Sequence, residues 1–122
     1  SLATEEALMA EDCIFCKIAR GEIESDILHR DDVCFVIRDI APKAPLHLLV
    51  IPNQHFTYLT DLTPDFYATL GDMFSAAREM AIREGVAEGG YRLVINQGDD
   101  AGQQVPHLHL HVLAGRTLGA MG

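Results

Sequence analysis

Basic residues are scarce in this 122-residue chain: nine Lys and Arg stand against 18 Asp and Glu, for a formal net charge of −9. Neutralising a nucleic-acid backbone takes clustered Lys and Arg, and the chain has no such cluster, which argues against DNA or RNA as a partner. Long apolar runs are missing as well. The run Leu48-Leu49-Val50-Ile51 stops at Pro52, far short of the ~20 residues that a spanning helix needs. No basic segment leads an apolar stretch at the N-terminus, so secretion has no support and no membrane partner is expected. The three cysteines are an odd number, which makes no disulfide framework and fits a reducing cytoplasm. Repeats and low-complexity segments are absent too. What is present, 48% apolar and 22% charged residues, is the composition of one globular domain with a modest core.

Residues 1–10 carry neither turn chemistry nor lasting periodicity and read as an N-terminal arm before a domain at 11–122. A short helix is predicted from Cys13 to Arg20, with Gly21 placed to end it. Strands follow at Asp26 to His29 and Val33 to Arg38, joined by the turn Arg30-Asp31-Asp32. Two prolines make Ala41-Pro42-Lys43-Ala44-Pro45 a loop. Leu46 to Ile51 reads as a central strand, and Cys34 as a small buried hydrophobe. The one long helix is expected from Pro64 to Glu84, with Thr63 as N-cap and Gly85 closing it. Its apolar stripe is Phe66, Leu70, Met73, Ala77, Met80 and Ala81. Tyr91 to Asn96 and His107 to Leu113 complete five strands, with a polar loop from Gln97 to Gly102 between them. The connections are too short for repeated crossovers, so the expected class is α+β: a mostly antiparallel five-stranded sheet with its helices on one face.

The most informative segment is His107-Leu108-His109-Leu110-His111-Val112-Leu113. Strict alternation is the mark of a strand with two different faces. Extended backbone puts the three imidazoles in a row, about 6.6 Å apart along the strand, whereas a helix would scatter them over roughly 200°. Imidazole titrates near neutrality and can be nucleophile, acid or base. A central histidine attacking a phosphoryl or nucleotidyl group is one reading; a His-ligated zinc hydrolase is the other. Cys13 and Cys16 form a Cys-x-x-Cys pair that is ambiguous by itself among zinc, redox chemistry and coincidence.

The triad segment resembles the His-x-His-x-His-x-x signature of the histidine triad (HIT) superfamily. Four further segments agree in order: Cys13-Ile14-Phe15-Cys16-Lys17-Ile18, Asp39-Ile40-Ala41-Pro42, His47-Leu48-Leu49-Val50-Ile51-Pro52, and Asn96 through Gly102-Gln103. The resemblance spans about residues 12–116 and is nearest to the histidine-triad nucleotide-binding branch. It implies a hydrolase that cleaves purine nucleoside phosphoramidates through a covalent nucleotidyl-histidine. The dinucleoside polyphosphate hydrolases, and a nucleotide- or partner-binding module with vestigial catalysis, are the alternatives. By position, the resemblance makes His109 the nucleophile, with the His107 carbonyl holding its far nitrogen and His47 and His111 lining the phosphate site. It places Asn96, Gly102, Gln103 and Gln104 around the phosphate and leaving group, and Asp39 on the ribose hydroxyls. Phe15, Ile18, Ile37, Ile40 and Leu49 become the base pocket. Position 104 is commonly a small hydroxyl residue in this branch; Gln104 can donate a hydrogen bond but cannot relay a proton as a hydroxyl does. The tail, Thr117 to Gly122, lacks the tryptophan that some relatives carry across a dimer.

The same resemblance implies a structural zinc held by Cys13, Cys16, His55 and His107, with no catalytic metal. It also implies a homodimer in which two five-stranded sheets join into ten strands across a two-fold axis.

Overall fold

The computed structural model describes residues 12–122. The expectation of an arm at 1–10 lies outside the described residues. Five strands form one sheet: β1 (Ile27–Arg30), β2 (Cys34–Arg38), β3 (Leu46–Pro52), β4 (Tyr91–Val94) and β5 (Leu110–Ala114). Their order is β1-β2-β3-β5-β4, and every neighbouring pair is antiparallel. Among the described residues two longer helices accompany them, α1 (Ile14–Ala19) and α2 (Tyr67–Arg83).

The helices lie on opposite faces, not on one. On the first face, Cys34, Val36, Leu46, Leu48, Val50, Leu108, Leu110 and Val112 pack with Met73, Ala76, Ala77 and Met80 of α2. On the second, Phe35, Ile37, Leu49 and Ile51 pack with Phe15 and Ile18 of α1. The physical reason is that β3 is buried along its whole length. A strand apolar on both sides needs a cover on both sides, and α1 supplies the second.

The long helix is also entered differently from the expectation. Pro64–Phe66 is a single 3₁₀ turn, and the Thr63 side chain makes no capping bond; the α-helix begins only at Tyr67. The fixed φ of Pro64 suits a first turn, and a 3₁₀ turn is a frequent way into an α-helix.

The third difference concerns the histidine row. Strand β5 starts at Leu110, so His107, Leu108 and His109 are outside the ladder. Here the chain bends to meet the segment after β3: Leu108 N–H donates to the Phe56 carbonyl at 2.5 Å and His107 N–H to the Val105 carbonyl at 2.8 Å. The two-residue alternation persists through the bend, because Leu108, Leu110 and Val112 all enter the α2-side core. Strand β4 likewise stops at Val94, two residues short of the predicted end.

Candidate active site and metal centre

Sheet register brings two of the histidines together. Leu49 stands opposite His111 and His47 opposite Leu113, so His47 and His111 are diagonal neighbours on the α1 side of the sheet, within reach of each other. Their rings meet with His47 Nε2 2.8 Å from His111 Nδ1. His109, just before β5, packs edge-on against Phe15 of α1 at 5.1 Å between centroids and lies 4.9 Å from the His111 ring.

Hydrogen bonds fix each proton, since a neutral imidazole has one donor and one acceptor nitrogen. His109 Nδ1 is 2.7 Å from the His107 carbonyl. A carbonyl only accepts, so Nδ1 carries the hydrogen and Nε2 keeps its lone pair. Lys43 N–H donates to His47 Nδ1 at 3.1 Å, so the His47 hydrogen is on Nε2 and is donated to His111 Nδ1. His111 therefore carries its own hydrogen on Nε2. Burial keeps all three rings neutral at neutral pH: desolvation lowers His109 and His47 below the ordinary 6.5 and takes His111 to about 4. The result is a lone pair at His109 beside a hydrogen-bond donor at His111, an arrangement suited to attack on an anionic phosphorus centre.

These groups line a cavity of about 330 Å³ with Phe15, Asp39, Leu49, Asn96, Gly102 and Gln104. Asp39 closes one side, its Oδ2 3.4 Å from His47 Nε2 and its Oδ1 accepting from Ala41 N–H at 2.8 Å. Gly102 adopts a left-handed φ of +79° in a loop that also borders the cavity. Gln103 lies outside the lining and builds that loop: Oε1 accepts from Gly98 N–H at 2.8 Å, and Nε2 donates to the Thr57 and Val105 carbonyls. Ile18 and Ile37 are in the buried layer behind the cavity, and Ile40 is 97% exposed beyond its rim. Lys43, Val94, Val105 and Leu113 line the cavity without having been singled out in the sequence. Lys43 had a signal, as the one cation between two prolines in the stretch joining Asp39 to His47.

His107 faces away from this cavity into a second cluster. Its Nε2 donates to the Pro52 carbonyl at 2.9 Å, which leaves the Nδ1 lone pair directed at three other donors. Cys13 Sγ is 3.3 Å away, Cys16 Sγ 3.6 Å and His55 Nδ1 3.1 Å, and Cys16 Sγ lies 3.3 Å from His55 Nδ1. All four ligand atoms fall within 4.8 Å of one another. A tetrahedral zinc with ordinary bonds to two nitrogens and two sulfurs needs edges of about 3.3 to 3.8 Å. The donor set and its spacing fit zinc. Burial pushes the Cys16 thiol up to about 12 and His107 down to about 4; a dication reverses that logic for the thiol by favouring the thiolate. Asp39, His47 and His111 also converge within 4.8 Å, but there the His47 nitrogen facing its neighbours already carries the hydrogen that Lys43 N–H assigns to it.

A family model described as HIT domain matches residues 20–118 of this chain. The purine nucleoside phosphoramidase of Escherichia coli K12 is 47% identical over 113 residues, covering 93% of this chain and 95% of the relative. Among solved structures, a HIT family hydrolase from Legionella pneumophila superposes with a TM-score of 0.86 at 42% identity, covering 88% of this chain and 96% of that one. A zinc-bound histidine triad family protein from Mycobacterium smegmatis superposes with a TM-score of 0.76 at 35% identity, covering 88% and 77%.

Proposed function

The chain belongs to the HIT domain family, and from that premise we propose that it is a hydrolase of purine nucleoside phosphoramidates acting through His109. The carrying observation is the 2.7 Å bond from His109 Nδ1 to the His107 carbonyl, which leaves the Nε2 lone pair available as the nucleophile. In the first step Nε2 attacks the α-phosphorus, the phosphorus–nitrogen bond to the leaving amine breaks, and the amine departs with a proton taken from solvent. In the second, water attacks the same phosphorus and releases a proton to solvent, the bond to Nε2 breaks, and the nucleoside monophosphate leaves. His111 stabilises the phosphate oxygens through its preorganised Nε2–H donor, and His47, lining the same site, orients that ring through the bond to His111 Nδ1. Asp39 accepts from the ribose hydroxyls, Phe15 and Leu49 hold the base, and Asn96, Gly102 and Gln104 surround the leaving group.

Cys13, Cys16, His55 and His107 would hold a structural zinc in this proposal. With four protein ligands it would supply cohesion rather than Lewis acidity. The protein acts in the cytoplasm as a homodimer, with residues 11–122 as the domain.

A fluorogenic adenosine phosphoramidate tests the reading. Wild type should release the amine, and His109→Ala should lose turnover by several orders of magnitude, as removal of a covalent nucleophile does, while still binding AMP. A wild type that binds AMP and releases nothing is a binding module, and a His109→Ala variant that keeps its turnover ends the covalent role.

A further inference from the structure

At the far end of β5 lies a set of contacts that the reaction above leaves without a role. Arg116 donates from Nη2 to the Lys43 carbonyl at 3.1 Å and from Nη1 to the Thr117 carbonyl at 2.9 Å. Gly115 beside it has a φ of +102°, and a Cβ there would stand 2.8 Å from Pro45 Cβ. Only glycine combines that conformation with that closeness. The Lys43–Pro45 stretch is thus gripped at the Lys43 carbonyl and at the Pro45 ring.

The gripped stretch is also the one that sets the His47 proton. Lys43 N–H reaches His47 Nδ1 at 3.1 Å, and that bond, together with the Asp39 carboxylate 3.4 Å from Nε2, sets which nitrogen of His47 is the donor toward His111 Nδ1 at 2.8 Å. Because the bonds run in series, the proton on His111 follows from the one on His47. The circuit starts at Arg116, two residues past the end of β5, crosses the loop and returns to β5 at His111.

We propose that Arg116 and Gly115 are positioning residues for the phosphoryl site, holding the Lys43 amide so that His47 and His111 both keep their hydrogens on Nε2. This rests on the phosphoryl reading of the cavity for its purpose, but the tautomers exist in the free protein. With the grip removed, the Lys43 amide turns away and His47 exchanges between its two neutral forms. In the minor form its Nδ1 bears the hydrogen, its Nε2 turns acceptor toward His111, and His111 meets a phosphate oxygen with a lone pair.

Long-range proton–nitrogen correlation spectra of protein labelled with ¹⁵N-histidine read the tautomers directly, without substrate. Wild type should show His47 and His111 as single Nε2–H forms. Arg116→Ala removes an exposed side chain and should show both rings in mixed forms, with kcat down about five- to tenfold, the scale of one hydrogen bond, and KM changed less. Arg116→Lys, which can still reach the Lys43 carbonyl, should recover most of the single-form signature. Folded Gly115→Ala should resemble Arg116→Ala, and wild-type tautomers there would remove Gly115 from the role. An Arg116→Ala protein with unchanged tautomers overturns the proposal even if its turnover falls, since that loss would be merely structural. A wild type with Nδ1–H at His47 overturns it as well. If wild type cleaves no phosphoramidate, the hydrolase reading fails while the tautomer comparison still decides the grip.

Discussion

At the scale of single residues, His107 carries two duties through different atoms. Its side chain faces Cys13, Cys16 and His55, while its carbonyl holds His109. The triad spacing made both histidines visible in the sequence, but the pattern could not show that the first turns out of the row. That turn comes from long-range bonds to Phe56 and Pro52, which no local periodicity encodes. Burial also sets the acid behaviour. Desolvation lowers His109 below the ordinary 6.5, so the acid limb of kcat/KM, where the nucleophile protonates, should be centred below 6.5. A rate profile whose acid limb is centred at or above 6.5 would contradict the desolvated nucleophile. His107 and His111, at about 4 in the fold and 6.5 outside it, bind fewer protons folded than unfolded between those values. Their contribution to stability is therefore complete above 6.5 and is lost as pH falls toward 4. Urea midpoints taken across that window should decline steadily with acid.

Among the elements, α1 has the largest consequence for its size. Six residues bring Phe15 to the cavity, Ile18 to the second core and Cys16 to the cluster with His55 and His107, with Cys13 at the N-cap. Its helical periodicity and closing glycine were legible, but its placement on the face opposite α2 was not. The signal for a second cover was the unbroken aliphatic character of Leu46 to Ile51, which denies β3 a solvent face. If zinc pins α1 to His107, the Cys13→Ser/Cys16→Ser protein should bind no metal, against about one ion per chain in wild type by elemental analysis. Its Tm should drop by several degrees, as loss of a structural metal implies. Activity should fall only in part, because His109, His47 and His111 remain in place. Unchanged melting, or a metal-free wild type after zinc-replete expression, would retire the zinc.

For the molecule as a whole, the strand number, antiparallel pairing and long helix of the described residues were readable from alternation and turn chemistry. The order β1-β2-β3-β5-β4 was not, because it depends on which distant edges meet. One edge of that sheet is β4, whose Tyr91 is exposed, and α2 presents Tyr67, Phe74 and Ile82 to solvent. An edge and a helix face of this kind suit a second copy, and light scattering at micromolar concentration should return about twice the 13.4 kDa of one chain. A mass near 13.4 kDa would refute the dimer. The two-sided burial of β3 has one more effect. Sliding that strand by a single position would send every side chain to the other face, carrying His47 in among Met73 and Met80 and Leu48 into the cavity. A one-residue misthreading therefore destroys the core and the site together, so the packing that stabilises the sheet also enforces the register that the histidines need.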